Sequence, residues 1–174
     1  RIARLNDNGV LDKTYTSNVS LTGTTMNDIE LLADNRVLAG LNASTSVDSM
    51  LRFTESGAID PLWIVKATRG GTVHEVVRQP DGKLLIAGEF RYVNGVEFHS
   101  LARLNSDGSL DSSFVPYFHA QTPLPIIYAL ALQADGKIVV GSWHGFALTR
   151  LNPDGSQDTS FGTPFPSSSQ VYDL

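Results

Sequence analysis

Cysteine is absent from the 174 residues, which excludes a disulfide frame, a thiolate metal site and a cysteine nucleophile. Lysine is scarce, with four residues, and the 13 Lys and Arg lie scattered among 18 Asp and Glu. Nucleic-acid binding rests on clustered basic side chains that release counterions, so a net charge of −5 with no basic cluster argues against it. Long apolar runs are also missing. None approaches the ~20 residues that a membrane helix needs, so no membrane insertion is expected. No stretch shows helical periodicity with caps at both ends. The chain opens without Met and without a signal peptide, so it is expected to be a piece of a longer protein or to have lost an upstream segment.

What remains is a globular composition. Apolar residues make up 41% of the chain, and the mean hydropathy is −0.06. That is enough to build one core-bearing domain of this length. The polar complement is unusual: 17 Ser, 13 Thr and nine Asn stand against four Lys and five Glu. A surface of neutral polar groups leans towards an extracellular β-protein.

The chain repeats itself. Nine residues recur as RLNDNGVLD (Arg4 to Asp12), RFTESGAID (Arg52 to Asp60), RLNSDGSLD (Arg103 to Asp111) and RLNPDGSQD (Arg150 to Asp158). Their glycines, Gly9, Gly57, Gly108 and Gly155, are separated by 48, 51 and 47 residues. A second ladder, Gly40, Gly88 and Gly141, has steps of 48 and 53. Two anchors with one period mark a repeat architecture.

Within a repeat the pattern is β throughout. VHEVVRQ is a short strand rich in branched residues. Asp81-Gly82 is a hairpin signal, since glycine tolerates positive φ and aspartate bonds its own turn. KLLIAGEF is a continuous apolar run, as expected of a strand buried on both faces. SLARLN alternates, SDG turns again, and SLDSSF reads as a short outer strand. MNDIELLAD could pass for a helix alone, but it occupies the slot of TVHEVVRQP and is therefore read as a strand. Four-stranded units of roughly 48 residues are the signature of β-propeller blades, which stack because one blade cannot cover its own two apolar faces. The expected fold is all-β, a partial propeller of about 3.5 four-stranded antiparallel blades. The repeats run over 1–24 (a half blade), 25–70, 71–125, 126–169 and 170–174 (the first strand of the next blade). A β-solenoid is the alternative, but its repeats are usually shorter.

The blocks LALQADGKIVVG, VVRQPDGKLLIAGEF and LARLNSDGSLDSSF closely resemble the bacterial delta-60 repeat family. The match is sharp in the third and fourth repeats and worn in the second, where DNR stands for DGK. The resemblance implies propeller blades in a large secreted or surface-attached bacterial protein, at the cell surface or outside the cell. It brings no catalytic residues with it.

Each nine-residue copy places an Arg eight residues before an Asp: Arg4/Asp12, Arg52/Asp60, Arg103/Asp111 and Arg150/Asp158. Flanking a hairpin turn, the two side chains can meet across the third and fourth strands. An ion pair or an Asp-to-backbone clamp that fixes the outer strand follows. The spacing Asn105, Asp107, Gly108, Asp111 also echoes half of a calcium loop, but the first ligand position falls on Arg in every copy. A cation there repels Ca²⁺ and leaves too few oxygen ligands, so no metal and no cofactor are expected.

Both tight turns of a blade lie on one face of the disc, and the variable connections lie on the other. Those connections hold 11 residues in Gly40–Arg52, 14 in Gly88–Arg103 and eight in Gly141–Arg150. Variable loops on a fixed scaffold are where binding usually lives. They carry Tyr92, Phe98, Tyr117, Phe118, Trp143 and His144, aromatics that suit a glycan or peptide ligand or that seal gaps between blades. Phe114 and Phe161 recur at one slot after the Asp and are assigned to the core. The four histidines, His74, His99, His119 and His144, fall at different repeat positions, and no hydrolase or nucleotide-binding motif is present. Asp48, Glu89 and Glu97 are loop acids with nothing to pair them as a glycosidase would need. A non-catalytic module is expected.

Beginning in a third strand and stopping in a first strand, the chain gives fifteen strand slots, too few to close a ring. Exposed edges and one bare blade face follow, with a homodimer or a continuation in a longer chain as the two ways to complete it. Three functions stand: a scaffold or adhesion module, a glycan- or peptide-binding module, and a loop-borne glycoside hydrolase or lyase.

Overall fold

A computed structural model of the chain describes residues 2–16, 24–42, 49–63, 65, 67–68, 71–121, 123–143, 147–162 and 169–174. Twelve strands lie among them: β1 (Thr25–Leu31), β2 (Val37–Asn42), β3 (Met50–Phe53), β4 (Ala67–Thr68), β5 (Thr72–Arg78), β6 (Leu84–Glu89), β7 (Tyr92–Val93), β8 (Val96–Glu97), β9 (Leu101–Leu104), β10 (Ile126–Leu132), β11 (Ile138–Trp143) and β12 (Leu148–Leu151). The one helical element among the described residues is a 3-10 turn at Tyr117–Ala120. None of their helices is long and apolar enough to cross a membrane.

Three antiparallel meanders repeat the same plan: β1-β2-β3, β5-β6-β9 and β10-β11-β12. MNDIEL is a strand, as its slot in the repeat requires. Register is shared too. Leu38 faces Arg52, Leu85 faces Arg103 and Val139 faces Arg150, so the repeated Arg always sits opposite the second residue of a middle strand. The turn into each middle strand needs a left-handed residue. Gly82 (φ +85°) and Gly136 (φ +82°) supply it, and in the worn second repeat Asn35 does so at φ 62°. Asparagine is the usual non-glycine occupant of that region, which is why DNR can stand where DGK stands elsewhere.

Blades stack face to face. Along β6 the side chains alternate between two cores. Leu84 and Ile86 pack with Leu38, Met50, Val73 and Val76, while Leu85 and Ala87 pack with Phe114, Ile127, Ile138 and Val140. β6 is thus buried on both faces, as its unbroken apolar run dictates. A smaller core of Ala39, Leu41 and Phe53 has Ile2 packed against it, which seats the opening half blade. The second glycine ladder marks the tight spots of this stacking. A Cβ at Gly40 would fall 3.0 Å from Val73 of the next blade, and one at Gly141 would fall 2.8 Å from Val171.

The inner strands share a β-bulge. Register shifts between Met26 and Asp28, between Val73 and Glu75, and between Ile127 and Ala129, leaving Asn27, His74 and Tyr128 as the extra residues.

The fourth slot departs from the expected outer strand. It closes through single bridges, Leu5 to Leu11, Phe53 to Ile59, Leu104 to Leu110 and Leu151 to Gln157. The Asp one residue past each bridge turns the chain. Asp111 Oδ1 accepts the Ser113 N–H, and the Asp111 carbonyl accepts the Phe114 N–H, so no ladder can continue. The long connection in the third repeat also holds structure of its own, a hairpin of β7 and β8 that pairs with β4. Asn94 (φ 51°) and Gly95 (φ 82°) form its two-residue turn.

Candidate functional site

The repeated Arg and Asp meet in all four copies. Arg4–Asp12, Arg103–Asp111 and Arg150–Asp158 are 2.8 Å apart, and Arg52–Asp60 is 2.7 Å apart. The backbone joins the same residues, since each Asp N–H donates to the carbonyl of its Arg at 2.8–2.9 Å. A second cation reaches the same carboxylate from the residue that precedes the middle strand: Lys83 to Asp111 at 2.7 Å, Lys137 to Asp158 at 2.8 Å and Arg36 to Asp60 at 3.3 Å. The other carboxylate oxygen takes the N–H two residues on, from Thr14, Leu62, Ser113 or Ser160. In three copies it also takes the hydroxyl of that residue at 2.6 Å.

The guanidinium has a third task. It lies over an aromatic ring three residues past the Asp: Arg4 over Tyr15 (5.0 Å), Arg52 over Trp63 (5.4 Å), Arg103 over Phe114 (4.7 Å) and Arg150 over Phe161 (4.6 Å). Phe114 is fully buried, as assigned from sequence, whereas Phe161 is half-buried. Tyr15 and Trp63 hold the same slot, and only an alignment anchored on the Asp would have found them. The unit also spans blades. Arg4 Nη1 donates to the Glu55 carbonyl at 2.9 Å, and Arg103 Nη1 donates to the Pro153 carbonyl at 2.8 Å. A Cβ at Gly108 would meet Trp63 of the preceding blade at 2.9 Å, and one at Gly155 would meet the Val115 carbonyl at 2.9 Å.

These contacts set the electrostatics. Burial alone would raise the Asp111 carboxyl, but hydrogen bonds from Lys83, Ser113 and Arg103 outweigh it and hold the group well below the usual range. Asp158 is held low chiefly by Lys137 and Ser160. Asp12 is lowered to about 2 by the Thr14 hydroxyl and N–H, then by Arg4. Among the described residues no group of three or more His, Asp or Glu is placed to hold a metal.

The loop aromatics divide. Phe98 and Phe118 are core residues, 7% and 0% exposed, and so offer no face to a ligand; the expectation that they line a binding surface is corrected. Phe98 joins the core of Trp63, Phe90 and Val93, and Phe118 joins the core of Phe114 and Ile127. Tyr117 is half-buried, its ring centroid 5.6 Å from that of Phe118 in an edge-on arrangement, and Tyr92 is half-buried in the β7–β8 hairpin. Trp143, at the end of β11, keeps 36% of its surface. His144 lies outside the described residues, as does Asp48. Glu97 is occupied by Arg91 and His99, and the His99 hydrogen bond is the main force holding its carboxyl low. An open cleft of about 320 Å³ lies beside this region, lined by Glu89, Phe90, Arg91, Ser100 and Pro123 to Ile126. Ser100, at φ 62°, closes one wall by donating to the Pro125 carbonyl at 2.6 Å.

With this geometry in view, residues 79–114 and 133–161 match the family model described as a domain of unknown function (DUF5122) beta-propeller. These are the two sharpest repeats. No curated protein matches the chain. Among solved structures, the extracellular domain of BT4673 from B. thetaiotaomicron matches twice. In a structure where it is classed as a hybrid two component system, identity is 16% and the TM-score 0.57, covering 96% of this chain and 21% of that one. In a structure where it is classed as a one component system, identity is 14% and the TM-score 0.55, covering 94% and 20%. The chain thus spans about a fifth of the length of these neighbours. The fold agrees with theirs: the chain is an all-β, antiparallel segment of β-propeller type.

Proposed function

We propose that the chain is a non-catalytic scaffold and interaction module of delta-60 type in a large secreted or surface-attached bacterial protein. One observation carries the non-catalytic reading. The Arg and Asp that recur in every repeat, and the hydroxyl that joins them in three, are engaged with one another or with backbone, so the repeated chemistry serves register and blade stacking. The extracellular reading draws on the similar domain of BT4673, which is extracellular in its own protein and matches in two structures. Protease shaving of intact cells tests it. The reading requires peptides of this chain to be released from outside, and release only after lysis would refute it.

The same reading includes completion of the ring, by further blades of a longer chain or by a second copy. Leu5, Val10 and Leu11 of the half blade are 60%, 57% and 51% exposed, an apolar surface of the kind that adjoining blades cover. Size-exclusion chromatography with light scattering on the 174-residue chain separates the two, since a dimer favours the second copy and a monomer favours further blades.

Glycan or peptide binding is a second reading. It is favoured by Trp143, partly exposed at the loop end of β11. Glycan-array binding lost on Trp143→Ala supports it, and binding that survives the change removes it.

A further inference from the structure

The bulged residues of the inner strands make a line of rings. His74 on β5 lies 4.7 Å from Tyr128 on β10, and Tyr128 lies 4.8 Å from Tyr172 in the final segment, with interplanar angles of 36° and 50°. At the far end Asn27 of β1 holds the same register and donates to the Val73 carbonyl at 2.9 Å. A bulge re-aims one side chain out of the strand's alternation. Repeating it in consecutive blades puts one residue per blade into a single layer at the innermost strands. The layer is reachable, because Tyr172 is 60% exposed.

The charge around this line is one-sided. The inner strands and the final segment carry Asp28, Glu30, Glu75 and Asp173 against Arg78 as their one guanidinium. Asp28 and Glu75 follow the bulged residues of β1 and β5, and Asp173 follows Tyr172. Glu89, at the end of β6, adds a further carboxylate whose field reaches both His74 and Tyr128. The negative field has a measurable trace: burial, and then Asp28, Asp173 and Glu30, push the Glu75 carboxyl up to about 7.

Aromatic faces bounded by carboxylates have one natural complement. A ring face attracts a cation within about 6 Å of its centroid, and a nearby carboxylate adds direct attraction without needing to be desolvated. A neutral sugar could stack on the same rings but would leave the charge unanswered. We propose that His74, Tyr128 and Tyr172, with Glu89 beside them, form a recognition site for an organic ammonium cation, such as a methylated amine or a lysine-type side chain. The site lies at the inner edge of the loop face, where Glu89 ends β6, and its ligand is independent of the scaffold reading.

Choline and its neutral isostere 3,3-dimethylbutan-1-ol are the probes, titrated into the whole chain while the tyrosine ring signals are followed by NMR. An exposed cation–π contact is worth about 2- to 5-fold, and two rings with a carboxylate should together favour choline over the isostere by about 10-fold. Tyr172→Leu, at a position 60% exposed, should abolish the preference, and Glu89→Gln should weaken choline alone. Tyr128→Phe keeps the ring and should keep the preference. Equal binding of the two probes, no saturable binding of either, or a preference untouched by Tyr172→Leu would each overturn the assignment.

Discussion

Arg103 and Asp111 are joined twice: the Asp111 N–H donates to the Arg103 carbonyl at 2.9 Å, and the Arg103 Nε donates to Asp111 Oδ2 at 2.8 Å. The first bond closes the turn and the second locks its two ends in register. Both side chains are close to buried, at 11% and 9% exposure, whereas the matching Arg4 stands 38% exposed. One chemical pair therefore sits in two environments.

Asp111→Ala leaves Lys83 and Arg103 without their shared acceptor, and Ser113 without its cap. Charged hydrogen bonds of this kind are worth about 1.5–3 kcal/mol each when a partner is deleted, so a loss near 3 kcal/mol is expected. Asp12→Ala, in the open half blade, should cost distinctly less. Urea unfolding of both variants checks the order, and equal losses would mean that burial does not govern the clamp.

Gly108 and Gly82 have the same backbone need but different surroundings. Their φ values are +89° and +85°, yet nothing lies within 4 Å of a Cβ at Gly82, while a Cβ at Gly108 would strike Trp63 at 2.9 Å. Gly82→Ala should cost about 1 kcal/mol in strain. Gly108→Ala adds overpacking against the preceding blade, about 1–3 kcal/mol more. Thermal unfolding should show the two midpoints clearly separated, with Trp63 fluorescence changed in the Gly108 variant and unchanged in the Gly82 variant.

The repeat and its turns were legible because each rests on a local rule. Asp-Gly marks a left-handed turn, and the unbroken apolar run at Leu84 to Ala87 marks a strand covered on both sides. The outer strand was over-read because SLDSSF alternates like a strand, while the capping bond from Ser113 to Asp111 that ends it looks the same on paper. The hairpin at Tyr92 to Glu97 did carry its signal, Asn94-Gly95, inside a stretch taken for an open loop. Phe98 and Phe118 were misplaced because composition says nothing of where a loop folds back. The line from His74 to Tyr172 was invisible. A bulge is one extra residue, which leaves the apolar pattern intact, and stacking across blades joins positions about 50 residues apart.

Acid should loosen the clamps. The carboxyls of Asp12, Asp60, Asp111 and Asp158 are all lowered in the folded chain, Asp12 to about 2. A depressed carboxylate contributes stability that is fully present above its unfolded value, near pH ~4, and is lost as pH falls through the folded value. The clamps' contribution should hold steady from pH ~6 to ~5 and fall steeply below ~4. Asp111→Asn, which cannot ionise, should start lower and fall less. A parallel fall in the variant would assign the acid lability elsewhere.

Glu75 should act in the opposite sense. Its carboxyl is raised to about 7, first by burial and then by Asp28, Asp173 and Glu30. In the unfolded chain it titrates near ~4.3, so between ~4.3 and about 7 the folded state holds a proton that the unfolded state has released. Its contribution is therefore intact at low pH and is lost as pH rises towards 7. Glu75→Gln removes the penalty and should raise stability at pH ~8 by roughly 1–2 kcal/mol, a figure reduced for the partial solvent screening of the site. Asp173→Asn, farther out in the final segment, should recover part of the same gain by easing the repulsion on Glu75. Urea unfolding at pH ~5 and ~8 reads both, since the two variants should approach wild type at the lower pH, where Glu75 is already protonated, and exceed it at the higher. A gain of equal size at both pH values would mean that glutamine simply packs better, and that the crowding of carboxylates on the inner strands exerts no strain on the fold.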